Sequence, residues 1–143
     1  PPPGAGQAAT PRPGPVRSPT AKWLPAHARG MELYADAVAG LDPGDGEIES
    51  AEVVVSDDVL VKAFVLGPGA ELEAHEHADS TNVFHVLEGT VTVVREEIEA
   101  TVERSVEAPG VVHHERGVVH GARNDAEDAA LFTASLCPMP GSG

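Results

Sequence analysis

The chain has one cysteine, Cys137, so it carries no internal disulfide framework and no Cys-rich zinc site. Aromatic residues make up only 3% of its 143 residues, so a core must be built mainly from Val, Leu, Ile and Ala. No apolar run approaches the roughly 18 residues of a transmembrane helix. The opening residues lack the basic-then-apolar pattern of a secretory signal, and the expectation is a soluble cytoplasmic protein without membrane contact. Basic residues are scarce as well: 9 stand against 23 acidic ones, a net charge of −14. Such a surface repels phosphate backbones, which argues against nucleic acid as a partner of the folded part. The length suits one domain.

Charge is unevenly spread. Residues 1–30 hold Arg12, Arg17, Lys22 and Arg29, no acid, and 8 of the 13 prolines. Residues 31–143 hold the remaining 5 basic residues and all 23 acids, a net −18. This predicts a boundary near Gly30–Met31, with a Pro-rich, basic, extended or disordered arm before it and one folded domain after it. The arm is either a solvated tail or a strap over the acidic domain, with Trp23 and Leu24 as its anchors. The domain's acidity fits a salt-adapted (halophile) protein as well as an ordinary acidic one.

From Ile48 onward the pattern is one short Val-rich segment after another. Ile48–Val55, Val59–Leu66, Glu71–His75, Asn82–Glu88, Thr90–Val94, Thr101–Val106, Val111–His114, Val118–Arg123 and Ala129–Leu136 read as strands. Ser56-Asp57-Asp58, Gly67-Pro68-Gly69, Gly89 and Pro109-Gly110 read as turns. Met31–Leu41 is the one helical stretch expected. The fold class is all-β, a single antiparallel sandwich or barrel spanning about 46–137.

Six of the seven histidines fall in the domain, at 75, 77, 85, 113, 114 and 120. In extended chain, residues two apart share a face, so the His75 and His77 imidazoles can converge on one ion. Neutral imidazole suits divalent zinc, copper, iron or nickel. Alternation from Asn82 sends Phe84 and Val86 to the cavity face and His85 to the other. His113 and His114 are adjacent, so one of them faces inward, and alternation leaves open which. Arg116 and Arg123 are placed to pair with a substrate carboxylate or with nearby acids. Cys137, near a strand end, reads as a small buried apolar residue.

The run Gly69-x5-His75-x-His77-x4-Asn82-x6-Gly89 resembles the first cupin motif, G-x5-H-x-H-x3,4-E-x6-G. Pro109–Asn124 resembles the second, G-x5-P-x-G-x2-H-x3-N, through Gly117, His120 and Asn124. The resemblance implies a jelly-roll barrel, commonly a homodimer paired through an outer sheet face. It implies His75, His77 and His120 as ligands of a divalent transition metal, with iron of most interest and zinc, manganese, nickel or copper compatible. The motif's Glu is replaced by Asn82, which would lie behind the ligands or bind weakly. Without that carboxylate an ion keeps its full 2+ charge and at least one open position, as in three-His cupin dioxygenases. Phe84, Val86, His113 and His114 are the expected pocket, and a small molecule the expected ligand. Two functions follow: a mononuclear, dioxygenase-like enzyme, or a non-catalytic module holding a small ligand or metal.

Overall fold

A computed structural model describes residues 33–141. The expected arm over 1–30, with Trp23 and Leu24, lies outside the described residues. A short helix α1 (Tyr34–Val38) precedes nine strands: β1 (Ile48–Val55), β2 (Leu60–Leu66), β3 (Glu71–His75), β4 (Thr81–Glu88), β5 (Thr90–Glu96), β6 (Thr101–Glu107), β7 (Gly110–His114), β8 (His120–Arg123) and β9 (Ala130–Cys137). Every pairing is antiparallel. Two sheets result, one in the order β1-β2-β9-β4-β7 and one in the order β3-β8-β5-β6. They face each other as the antiparallel all-β arrangement that the spacing of Val-rich segments predicts, in the jelly-roll form that the motif resemblance implies. Among the described residues no helix is long and apolar enough to cross a membrane.

The turns form for the reasons their residues supply. Ser56 donates its N–H to the Val59 carbonyl at 3.0 Å, and its hydroxyl accepts the Val59 N–H at 3.3 Å, closing β1 onto β2. The acid-rich stretch after β5 makes a hairpin rather than a helix, with the Glu97 N–H donating to the Ala100 carbonyl at 2.9 Å. The helix expected within Met31–Leu41 forms as a little over one turn, Tyr34–Val38, with no capping side chain and no buried residue to extend it. Two sequence expectations are corrected. The eighth strand begins at His120 rather than Val118, because the Val118 carbonyl turns to accept from the His120 ring at 2.9 Å. Cys137 is exposed, not buried, since it alternates to the side of β9 opposite the buried Leu136.

The scarce aromatics are concentrated. Phe64, Phe84 and Phe132 lie on three neighbouring strands and pack together, with ring centroids 5.1 Å apart for Phe64–Phe132 and 4.7 Å for Phe84–Phe132. Leu66, Val86, Val91 and Val93 fill the space around them. Asn124 secures the loops at one end: its Nδ2 donates to the Leu66 and Asp128 carbonyls and its Oδ1 accepts the Ala126 N–H. Arg123 lies on the outer face, forked onto Glu103 at 2.7 and 2.8 Å and bound to Asp125 through Nε. These two acids hold its guanidinium protonated well above its ordinary range and lie below the usual carboxylate range themselves.

Gly67 is needed for close approach. A Cβ there would collide with the Gly44 carbonyl oxygen, which belongs to rigid backbone between α1 and β1. Gly67→Ala is expected to cost about 2 kcal/mol of unfolding free energy through forced displacement. Gly40→Ala, where an added Cβ meets nothing within 4 Å, is the control and should be near neutral in the same urea titration.

Candidate metal centre

His75 is the last residue of β3 and His120 the first of β8, and the two are register partners across that pair. His77 follows two residues beyond the end of β3. The Gly117 N–H donates to the His77 carbonyl at 3.0 Å, tying the loop that carries His77 to the turn before His120. Gly117 sits at φ +77°, a conformation that suits glycine and lets that turn close. One ring nitrogen from each of His75, His77 and His120 lies within 4.8 Å of the other two. The rings meet edge to face or tilted, with centroids 4.8 to 5.7 Å apart.

Backbone carbonyls fix the tautomers. Nδ1–H of His75 donates to the Glu73 carbonyl at 2.7 Å, and Nδ1–H of His120 to the Val118 carbonyl at 2.9 Å. Each Nε2 is therefore left as the ring's lone-pair acceptor. This is the outer support by which metal-binding imidazoles are commonly oriented. Asn82 touches the group directly: its Nδ2 lies 2.9 Å from His120 Nε2, and its Oδ1 is buried without a partner. A single lone pair on Nε2 serves the amide or an ion, not both. Rotating the amide half a turn would bring the orphaned Oδ1 round toward the histidines, an oxygen donor suited to a divalent cation. The donor set fits a transition metal: three neutral imidazoles, two of them pre-oriented, and one spare amide oxygen.

Burial, before anything else, depresses two of the three imidazoles. His120 falls to about 4, with its bond to the Val118 carbonyl opposing the shift and the nearby His75, His77 and Arg95 adding to it. His77 is lowered by burial and then by His75. His120 thus keeps its lone pair in mildly acidic solution, where a free histidine is protonated.

Of the adjacent pair, His114 is the inward one and is fully buried, while His113 lies on the exposed side of β7. His113 belongs to the pocket only through its carbonyl, which accepts from Arg95 Nη2 at 2.8 Å. His114 stacks flat on His120, with centroids 4.1 Å apart and planes 7° from parallel, and takes the edge of Phe84 at 4.8 Å. Neither of its ring nitrogens has a partner. Burial, then His120 and Arg95, bring it to about 3. Phe84 and Val86 point inward as alternation requires and are packed into the core. His85 is exposed on the opposite face.

Sequence reading passed over Arg95. It singled out Arg116, which is exposed in the turn before His120, and Arg123, which is consumed by Glu103 and Asp125. Arg95 shares a face with Val91 and Val93 on β5 and is the register partner of His120. The period-two run Val91-x-Val93-x-Arg95 was the signal that this arginine looks inward.

No curated protein matches the chain. Among solved structures it is similar to TT1209 from Thermus thermophilus, at 29% identity and a TM-score of 0.59, over 66% of this chain and 86% of that one. It is also similar to a conserved protein with a double-stranded β-helix domain from Klebsiella pneumoniae, at 21% identity and a TM-score of 0.64, over 75% and 90% of the two chains. A third is a predicted oxalate decarboxylase from Thermotoga maritima, at 19% identity and a TM-score of 0.59, over 66% and 83%. The family model of the cupin domain matches residues 63–136, a stretch that holds all three clustered histidines and runs from β2 into β9. That match takes in more than half of the chain, which therefore belongs to the cupin family.

Proposed function

We propose that His75, His77 and His120 hold one divalent transition ion and that the chain is a mononuclear, dioxygenase-like enzyme acting on a small molecule. The observation that carries this is the convergence of three imidazole nitrogens within 4.8 Å, two of them presented by backbone-anchored rings. A redox-active ion held this way would bind and polarise substrate and supply the electron chemistry that protein side chains lack. The chain's own residues do the rest. The Glu73 and Val118 carbonyls hold the rings, Phe84 and His114 wall off one side of His120, and burial favours the neutral form of His120.

A second reading is a metal or small-ligand module without turnover. Asn82 favours it, since an amide in the place of the motif's carboxylate offsets none of the ion's charge. Elemental analysis of protein purified without chelator or a metal-binding tag separates the two. Near-stoichiometric iron supports the enzyme, whereas zinc with no oxygen consumption, or no transition metal at all, overturns it in favour of the module. Asn82→Glu is expected to raise metal affinity by about tenfold, because it adds a charged ligand and removes the amide that competes for His120 Nε2. Competition against a chelator of known affinity measures it.

A further inference from the structure

The edge strands β6 and β7 come from different sheets, and a cleft of about 630 Å³ opens between them. Register decides which side chains enter it. On β5, Val91, Val93 and Arg95 face the interior together with His120 and Ala122 of β8. Their partners on β6 are Val106, Arg104 and Val102. On β7, Gly110 and Val112 share the inward side with His114. The cleft thus has a floor of Val93, Val102, Val106 and Val112, and two guanidinium groups above it, from Arg95 and Arg104.

Those two cations are conspicuous in a domain with 23 acidic residues and five basic ones. Two acids also line the cleft: Glu107, whose position on β6 alternates with the inward Val106, and Glu97, beyond the end of β5, which holds one Arg95 nitrogen at 3.5 Å. Arg95 Nε is shut from solvent without an acceptor. Arg104 forms no ion pair with a described residue. A buried N–H without an acceptor is costly, and a planar guanidinium is best matched by the two oxygens of a carboxylate. The volume lies in the range of small-molecule sites, and the apolar floor calls for an apolar body.

We propose that the β6–β7 cleft binds a small organic anion, its carboxylate held by Arg95 and Arg104 and its aliphatic part seated on the four valines. None of these side chains belongs to the three-His group, so the anion binds whether or not that group holds an ion. Because Arg95 faces His120 across the β5–β8 pair, the occupant lies one strand away from the candidate metal centre.

The test is titration of the full chain with isovalerate, in metal-free and metal-loaded form, followed by NMR of valine methyls and arginine Nε–H groups. Saturable shifts are expected at Val93, Val102, Val106, Val112, Arg95 and Arg104 in both forms. Isovaleramide, the neutral isostere, should bind about tenfold more weakly. Arg104→Gln, at an exposed position that leaves the Arg95–His113 bond intact, should weaken isovalerate by about the same factor and leave isovaleramide unchanged. Equal binding of acid and amide, shifts confined to Arg116 and Arg123, or no saturable shift overturns the proposal. So does concentration-dependent broadening along β7 that isovalerate fails to relieve, which would make the cleft a contact with a second copy.

Discussion

Protein carrying His120→Ala is expected to retain almost none of the metal bound by the parent chain. His75 and His77 sit two residues apart at one strand end, and only β8 supplies a ligand from a second strand. Losing an orienting partner of a ligand typically costs about 10–100-fold in affinity, and losing the ligand itself should cost at least that. The variant also removes the ring that stacks on His114, so His120→Gln, closer in size, separates a packing defect from a ligand defect. Both should lose the ion while the glutamine variant keeps a melting temperature near the parent's. Metal per chain by elemental analysis is the readout. Full occupancy in a His75→Ala/His120→Ala double variant would place the ion elsewhere in the molecule.

The second large effect is acid instability of the metal-free domain. His114 and His120 are folded in the neutral state, at about 3 and about 4, against an ordinary imidazole value of 6.5. Between those limits these two rings alone bind two more protons in the unfolded chain than in the folded one, so stability falls as pH falls. It is complete above about pH 6.5 and declines below it, with a slope approaching roughly 2.7 kcal/mol per pH unit near pH 5, the product of two protons and 1.36 kcal/mol each. Urea unfolding at half-unit intervals from pH 7.5 to 4.5 reads that slope directly. His114→Phe should lower it by about 1.36 kcal/mol per pH unit, because one suppressed protonation is then gone. A slope that His114→Phe leaves unchanged would assign the acid sensitivity to other groups. Bound metal should shift the whole curve downward in pH, since it competes with protons for His120 but not for His114.

Why strands were legible and faces were not follows from where each kind of information lies. A segment such as Thr90-Val91-Thr92-Val93-Val94 between Gly89 and an acidic turn announces an extended stretch by its own composition, and β1 and β3 run between the very residues that alternation marks. The His75–His77 pair was legible for the same reason, being local. Parity is not local. Whether His113 or His114 looks inward depends on β7 meeting β4 with Asn82 opposite His114, a pairing between residues far apart in sequence. Arg95 and Arg104 are a stronger case. They sit on different strands, and only the β5–β6 register, with Val93 opposite Arg104, turns them to one cleft. Cys137 was misjudged because its composition class predicts burial, while its side of β9 is decided by Leu136 next to it. The third histidine was found by motif resemblance, since nothing near His120 in the chain brings it to His75.

The place of β9 bears on how the protein is made. It comes last of the described strands yet lies in the middle of its sheet, hydrogen-bonded to β2 on one side and β4 on the other. During synthesis from the N-terminus, β2 and β4 emerge tens of residues before the strand that joins them. Until then each shows the nascent chain an open edge, with Val61 and Val65 on one and Val83 and Val86 on the other. Chains stalled or cleaved before Ala130 would hold those edges open indefinitely and should be recognised by chaperones or aggregate. Completion of the sheet therefore waits for the last of the described strands, and the −18 charge over residues 31–143 supplies mutual repulsion between chains that wait for it.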